Sequence, residues 1–193
     1  MTITYCVGSG LYINMTNRCT NDCVFCIRNF SNSVGDTDSL WLEREPSRDE
    51  ILADIQKRDL KKYNEVVFCG YGEPTARLED LLWLCDQLKQ ADNTLIRLNT
   101  NGQSSLIAGY DTAPLFAGLV DTISISLNAA GAEEYMKICK PTFGIKAYEA
   151  VLDFATKVRS YVPSVIMSVV NGTTDIEACR KIADNAELPL RVR

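Results

Sequence analysis

Six short runs rich in β-formers recur along the 193 residues, and all but the last lead into a stretch of helical character. They are LYINM (11–15), EVVFCG (65–70), TLIRLN (94–99), DTISISL (121–127), VIMSVV (165–170) and LPLRVR (188–193). Gly70, Asn101-Gly102 and Asn171-Gly172 stop three of them, as turn residues do. Strands that alternate with helices argue for a parallel sheet joined by right-handed crossovers. No Pro- or Ser-rich linker divides the pattern, so we read one domain.

The intervening segments carry helix signals of their own. Ser47-Arg48-Asp49-Glu50 reads as a capping box just after Pro46. Ile51, Leu52, Ile55, Leu60 and Tyr63 extend a 3.6-residue stripe from it, with Lys57, Arg58, Lys61 and Lys62 expected near the helix end. Residues 78–90 form a second helix with Leu78, Leu81, Leu82, Cys85 and Leu88 inward. Further helices are expected at about 132–138 and 145–160, and from near Thr174. Residues 29–46 show no periodicity; their Gly, Ser, Asp and Asn content marks a long loop, and long loops in compact domains often serve function. Trp41 is read as its anchoring aromatic beside the solvated Glu43–Arg44–Glu45 run, and Lys140-Pro141 as a helix end.

Composition removes several function classes. The net charge of −5 offers no global field for a phosphate backbone, so nucleic acid is not a favoured partner. Histidine is absent, which excludes His-containing zinc sites, Ser–His and Cys–His pairs and imidazole bases. The N-terminal stretch lacks the basic and apolar regions of a signal peptide, and no run is long enough to span a bilayer. A cytoplasmic, reducing location is therefore expected, with no membrane partner, and clustered thiols there point to metal or redox chemistry.

Three of the eight cysteines, Cys19, Cys23 and Cys26, fall within eight positions after the first run. A closed structural zinc site wants four ligands, so an incomplete thiol set poses a question. Ligands in parallel α/β folds gather at the carboxyl ends of strands, and the other notable motifs lie there too. Gly70-Tyr71-Gly72-Glu73-Pro74 follows the second run, Asn99-Thr100-Asn101-Gly102 the third, Ser126 and Asn128 the fourth, and Asn171-Gly172 the fifth. Singly each is ordinary turn chemistry; the fold would bring all five to one rim.

Cys19-x3-Cys23-Val24-Phe25-Cys26 resembles the cluster loop of the radical S-adenosylmethionine (radical SAM) superfamily, which also follows the first strand of its barrel. The resemblance runs over essentially the whole chain. It implies a partial (β/α)6 TIM-like barrel of parallel strands, laterally open because six strands do not close as eight do. It also implies a single core domain over residues 1–193 without an auxiliary domain. The three thiolates would hold three irons of a 4Fe–4S cluster and leave the fourth open to S-adenosyl-L-methionine. Tyr71-Gly72-Glu73-Pro74 resembles the family's GGEP motif, which receives the methionyl amino group, with Tyr71 in place of its first glycine. By the same resemblance Phe25, Asn99, Ser126, Asn128 and Asn171 are cofactor neighbours: Asn99 near the ribose, Ser126 and Asn128 near ribose and carboxylate, and Asn171 near the adenine. YINMTNRCTNDCVFCIRN and LWLEREPS look more narrowly like the TatD-associated radical SAM proteins.

The function so implied is an enzyme. The reduced cluster would cleave S-adenosylmethionine to methionine and a 5′-deoxyadenosyl radical that abstracts hydrogen from an unidentified substrate. A flavodoxin- or ferredoxin-type donor would supply the electron, and the lateral opening would suit a protein or peptide substrate. Two rivals stay open: a non-catalytic zinc module completed by Cys6 or Cys69, and an iron–sulfur electron carrier. Cys6, Cys69, Cys85, Cys139 and Cys179 are scattered and read as small buried hydrophobes. The 29–46 loop is expected to cover the site and contribute to substrate choice.

Overall fold

The computed structural model describes residues 1–34, 37–92 and 94–193; Gly35 and Asp36 of the expected 29–46 loop lie outside the described residues. Seven strands form one sheet in sequence order: β1 (Thr4–Val7), β2 (Gly10–Ile13), β3 (Glu65–Phe68), β4 (Ile96–Thr100), β5 (Thr122–Ser126), β6 (Ser164–Val169) and β7 (Leu190–Val192). From β2 to β7 every neighbouring pair is parallel, and β1 and β7 are not paired with each other. The sheet is thus the open partial barrel expected. Helices α1 (Arg48–Gln56), α2 (Leu78–Asp92), α3 (Ser104–Ala108), α4 (Ala132–Cys139), α5 (Lys146–Val158) and α6 (Ile176–Asn185) supply the crossovers.

Strand β1 is an addition to the six expected strands, and it is antiparallel to β2. Val7 pairs with Gly10 across a two-residue Gly8-Ser9 turn, and Gly8 takes φ +56°, the sign such hairpin turns require. Thr4 fastens this strand to the first helix. Its hydroxyl donates to Asp54 Oδ2 at 2.7 Å, and Arg58 donates to its hydroxyl and its carbonyl, each at 3.0 Å.

The capping box forms as expected: Glu50 N–H donates to Ser47 Oγ at 3.2 Å, and Ser47 N–H to Glu50 Oε2 at 2.8 Å. The helix it opens ends at Gln56, one turn or more before the stripe does. Asp59 is extended (φ −78°, ψ 96°) and starts a separate 3-10 turn at Leu60–Lys62, so the four basic residues lie beyond the helix. Leu60 and Tyr63 still pack on the core from that turn. In α2 it is Leu84, not Leu82, that is fully buried with Leu81, Cys85 and Leu88.

The strands have two unlike faces. Leu11 and Ile13, Val66 and Phe68, Ile96 and Leu98, Ile123 and Ile125, and Val165 and Met167 point into one core with the helices. Side chains alternate along a strand, so the intervening residues occupy the concave face. These include Tyr12, Arg97, Asn99, Ser124, Ser126 and Arg191. A parallel sheet buried on both faces would be apolar throughout. Here the concave face is polar apart from Val67 and Ile166 and lines cavities, a layout suited to a ligand.

Ser47→Ala removes the oxygen that accepts from Glu50 N–H and should cost about 1 kcal/mol, lowering the melting temperature by roughly 2–4 °C in calorimetry. An unchanged transition would show that α1 is held by its packing alone.

Candidate cofactor and cluster site

The chain between β2 and α1 passes over the carboxyl ends of the strands and carries the three clustered cysteines. It is tied down on both sides. Asp22 and Val24 donate backbone N–H groups to the carbonyls of Cys139 and Ile138 at 3.0 and 2.8 Å, and Thr142 N–H donates to Thr20 O at 2.8 Å. Lys140, at the expected helix end, takes φ +45° and turns the chain so that Asn21 and Pro141 form an isolated antiparallel bridge. On the other side Asn101 Nδ2 donates to Thr20 Oγ1 at 2.9 Å, and Thr20 donates on to Gln103 Oε1 at 2.9 Å. Gln103 Nε2 bridges Asn21 Oδ1 and the Tyr135 hydroxyl at 2.8 and 3.0 Å, and Asn21 Nδ2 reaches the same hydroxyl at 3.0 Å. The buried donors and acceptors of this network are mutually satisfied, which fixes the loop before any cofactor arrives.

The β3 motif packs directly beneath. A Cβ on Gly72 would lie 2.3 Å from Thr16 O and 2.5 Å from Arg18 O, so only glycine permits the approach. Glu73 N–H donates to Arg18 O at 2.7 Å. The Glu73 side chain is 3% exposed, and its carboxylate gathers four donors. Oε1 accepts from Thr75 N–H (3.1 Å), Thr75 Oγ1 (2.8 Å) and Thr100 Oγ1 (2.7 Å), while Oε2 accepts from Asn101 N–H (2.6 Å). Burial raises its pKa above the ordinary carboxylate value, against the opposing pull of these hydrogen bonds.

Cys19, Cys23 and Cys26 line one cavity of about 380 Å³ together with Phe25, Gly72, Glu73, Asn99, Ser126 and Asn128. These are all but one of the sequence-expected site residues. Asn171 is exposed and stands off the cavity wall, where the preceding residue, Val170, takes its place. Its backbone N–H pairs instead with Arg193 O at 2.9 Å. Asn128 adopts φ +59° and donates to Cys139 Sγ at 3.8 Å, which leaves its Oδ1 buried without a partner among the described residues, at the cavity wall. A buried orphan acceptor beside three thiols is a place for a donor from a ligand.

Burial and the nearby Glu73 carboxylate push the Cys19 thiol up to about 11. A hydrogen bond with the Cys139 thiol, then burial, raises Cys23 well above the ordinary thiol range. A metal that binds these thiols would have to displace their protons, which are released to solvent. No three His, Cys, Asp or Glu side chains among the described residues converge closely enough to hold a single metal ion. Zinc bonds sulfur at about 2.3 Å and needs its ligands packed around one point. The three thiols line one cavity, as ligands of a cluster of several irons would. Cys85, Cys139 and Cys179 are buried as expected, but Cys6 is exposed, 3.4 Å from the Tyr63 hydroxyl, and Cys69 is a half-buried wall residue of this cavity. Cys6 therefore does not complete the thiol set.

Tyr71 does not line this cavity. Its side chain turns away into a small second core with Tyr5 and Leu40, its ring meets Trp41 edge-on at 5.1 Å, and its hydroxyl donates to Ser31 O. Trp41 is the loop's anchoring aromatic, with Nε1 on Asn32 Oδ1 at 3.2 Å. Val34 and Leu40 of the same loop line a second cavity of about 240 Å³, which shares Ile27, Cys69, Gly70, Asn99 and Arg193 with the first. Arg28 was not singled out from the sequence. Its guanidinium donates to the carbonyls of Asn17, Tyr71 and Asn21 at 3.2–3.5 Å, behind the cysteine loop.

The Radical SAM superfamily profile matches residues 13–184, and the chain belongs to that superfamily. Solved structures with the same fold include Streptococcus suis SuiB bound to its precursor peptide SuiA, at 16% identity and TM-score 0.69, covering 95% of this chain and 38% of that one. A radical SAM methyltransferase from Sphaerobacter thermophilus is 14% identical with TM-score 0.63, covering 95% and 65%. Methylornithine synthase (PylB) is 16% identical with TM-score 0.60, covering 95% and 52%. The chain thus spans between about two fifths and two thirds of the length of these neighbours. No match to a curated protein sequence was found.

Glu73→Gln should destabilise the fold. An amide can accept on one atom only, so at least one of the four buried donors would face its NH2 group. The loss of about 1–3 kcal/mol should lower the melting temperature by roughly 2–12 °C. Wild-type stability would show that the carboxylate does not join the strand ends.

Proposed function

We propose that this chain is an enzyme that holds a 4Fe–4S cluster through Cys19, Cys23 and Cys26 and binds S-adenosylmethionine beside it. The observation that carries the reading is the common cavity: the three thiols share it with Phe25, Gly72, Glu73, Asn99, Ser126 and Asn128 at the carboxyl ends of the strands. When bound and reduced, the cluster supplies the electron that splits S-adenosylmethionine into methionine and a 5′-deoxyadenosyl radical, the abstractor of a substrate hydrogen. The chain's own contribution is orientation. Asn128 Oδ1 offers an acceptor to the cofactor's amino group or ribose, and Asn99 and Ser126 offer polar atoms on the adjoining strands. Glu73 acts chiefly by holding the ends of β3 and β4, since four chain donors already occupy its carboxylate; one acceptor site on Oε2 is left for the methionyl amino group. Phe25 packs on the core from the cysteine loop and closes the cavity's apolar side. A flavodoxin- or ferredoxin-type protein would deliver the electron to the exposed edge of the loop, where Val24 and Ile27 present apolar surface.

Anaerobic reconstitution with iron and sulfide should give about four irons per chain. Alanine at Cys19, Cys23 or Cys26 should abolish the cluster's EPR signal, and Cys69→Ala should keep it. Stoichiometric zinc without sulfide would end this reading. Loss of the cluster in Cys69→Ala would make the site a four-thiolate carrier instead. Addition of S-adenosylmethionine to the reduced wild-type protein should shift the EPR spectrum and yield 5′-deoxyadenosine.

A further inference from the structure

The second cavity has a chemistry of its own. Arg97 from β4 and Arg191 and Arg193 from the β7 end line it, against walls made by Tyr5, Tyr12 and Tyr71. Three guanidiniums on one concave surface run against the background of a chain whose net charge is −5. Among the described residues, only one of them is matched by an acid. Arg97 Nη2 pairs with Glu65 at 2.8 Å and donates to the Tyr12 hydroxyl at 3.1 Å, yet its Nε is buried without a partner. Arg193 Nη2 reaches only the neutral Ser126 hydroxyl, at 3.2 Å. Neither Arg191 nor Arg193 makes a salt bridge among the described residues. Burial lowers the pKa of Arg193, and the like charges of Arg191 and Arg97 lower it further, although the nearby Cys69 works the other way. Arg191 and Arg193 are exposed at the cavity wall, and cations clustered there with no acid partner among the described residues are stabilised by an anion that enters.

We propose that this cavity binds the substrate, and that the substrate is a small organic anion: a carboxylate or phosphate carried on an apolar or aromatic body. This rests on the cofactor reading above, because the cavity is placed as the substrate chamber of that site. Guanidinium forks suit planar carboxylate and tetrahedral phosphate groups alike. The cavity of about 240 Å³ has room for a compact small molecule. Tyr5, Tyr71, Val34 and Leu40 provide the wall for its body. The wall shared with the cofactor cavity, at Cys69, Gly70 and Asn99, sets that body beside the place where hydrogen abstraction would occur. Arg193 lines both cavities and could serve either ligand; Arg97 and Arg191 line only the second, so they report on the substrate alone.

The test is calorimetric titration of the cluster-reconstituted protein with phenyl phosphate and 4-hydroxyphenylacetate, and with p-cresol as the neutral analogue. At least one anion should bind with a dissociation constant below about 5 mM and about tenfold or more tighter than p-cresol, and the stronger of the two identifies the head group. Arg191 is exposed and makes no ion pair among the described residues, so Arg191→Gln should fold normally and weaken anion binding about tenfold or more, while p-cresol is unaffected. Arg97→Gln should do the same, but it also strips Glu65 of its partner, so the weight falls on Arg191. Absence of anion binding, equal binding of p-cresol, or full affinity in Arg191→Gln would each overturn the proposal. Iron content and the S-adenosylmethionine-induced EPR shift, measured on the wild-type samples, keep the two readings separate. Anion binding without that shift would sink the cofactor reading and leave an anion site; the shift without anion binding would do the reverse.

Discussion

A single carboxylate holds the working end of this molecule together. Glu73 sits in the turn that follows β3, and its two oxygens take donors from its own turn and from the end of β4. Burying a charge is costly unless it is hydrogen-bonded, and four donors meet that cost. One of the donors, the N–H of Asn101, belongs to the residue whose side-chain amide grips Thr20 of the cysteine loop. The Glu73 N–H grips the same loop from below at Arg18 O. The carboxylate therefore fixes the distance between two strand ends and, through them, the height of the loop above the sheet. A small displacement there would move all three thiols with respect to Asn99, Ser126 and Asn128.

The two faces of the sheet divide stability from chemistry. The strands from β2 to β6 put most of their large aliphatic residues on the helix side, where they meet in one core; Val67 and Ile166 are the exceptions. The concave side is otherwise free to carry polar and charged residues. This division lets an acidic chain keep three arginines on one inner surface. It also lets two cavities share the wall at Cys69 and Asn99 while differing in character. The first has thiols, a buried carboxylate and an orphan carbonyl oxygen; the second has guanidiniums and phenol rings.

What the sequence disclosed, and what it hid, follows the range of the interactions. The capping box at Ser47 and Glu50 is a contact over three residues and could be read directly. So could the six parallel strands, whose β-forming runs are local, and the cysteine spacing. The end of α1 was overrun because Leu60 and Tyr63 keep the hydrophobic period from a separate turn after the backbone has left the helix. Strand β1 was missed although Gly8-Ser9 between TYCV and GLYI is a hairpin signal; an N-terminal segment with a single partner carries little pattern beyond its turn. The alternation in IRLN, TISIS and LRVR does mark a polar face, and would have singled out Arg97 and Arg191 had it been followed residue by residue. The lock formed by Asn21, Gln103 and Tyr135 had no such signal. Its members lie 82 and 32 positions apart, and only the fold brings them into hydrogen-bonding distance.

Tyr71 shows how a departure from a motif can be absorbed. In the sequence it stands where the GGEP pattern has glycine, which put the contact with the cofactor in question. The glycine that packing demands is the next one, Gly72, since a Cβ there would strike two backbone carbonyls of the cysteine loop. Position 71 faces the other way, and a large side chain fits because Ser31, Leu40 and Trp41 meet it there. The ring packs with Leu40 and Tyr5 and against Trp41, and its hydroxyl holds Ser31 O. Buried aromatics contribute most when the polar tip also finds a partner, and this one does. Tyr71 thus builds the wall between the loop and the second cavity out of a position a glycine would leave empty. The residue that departs from the motif is the one that shapes the wall of the second cavity.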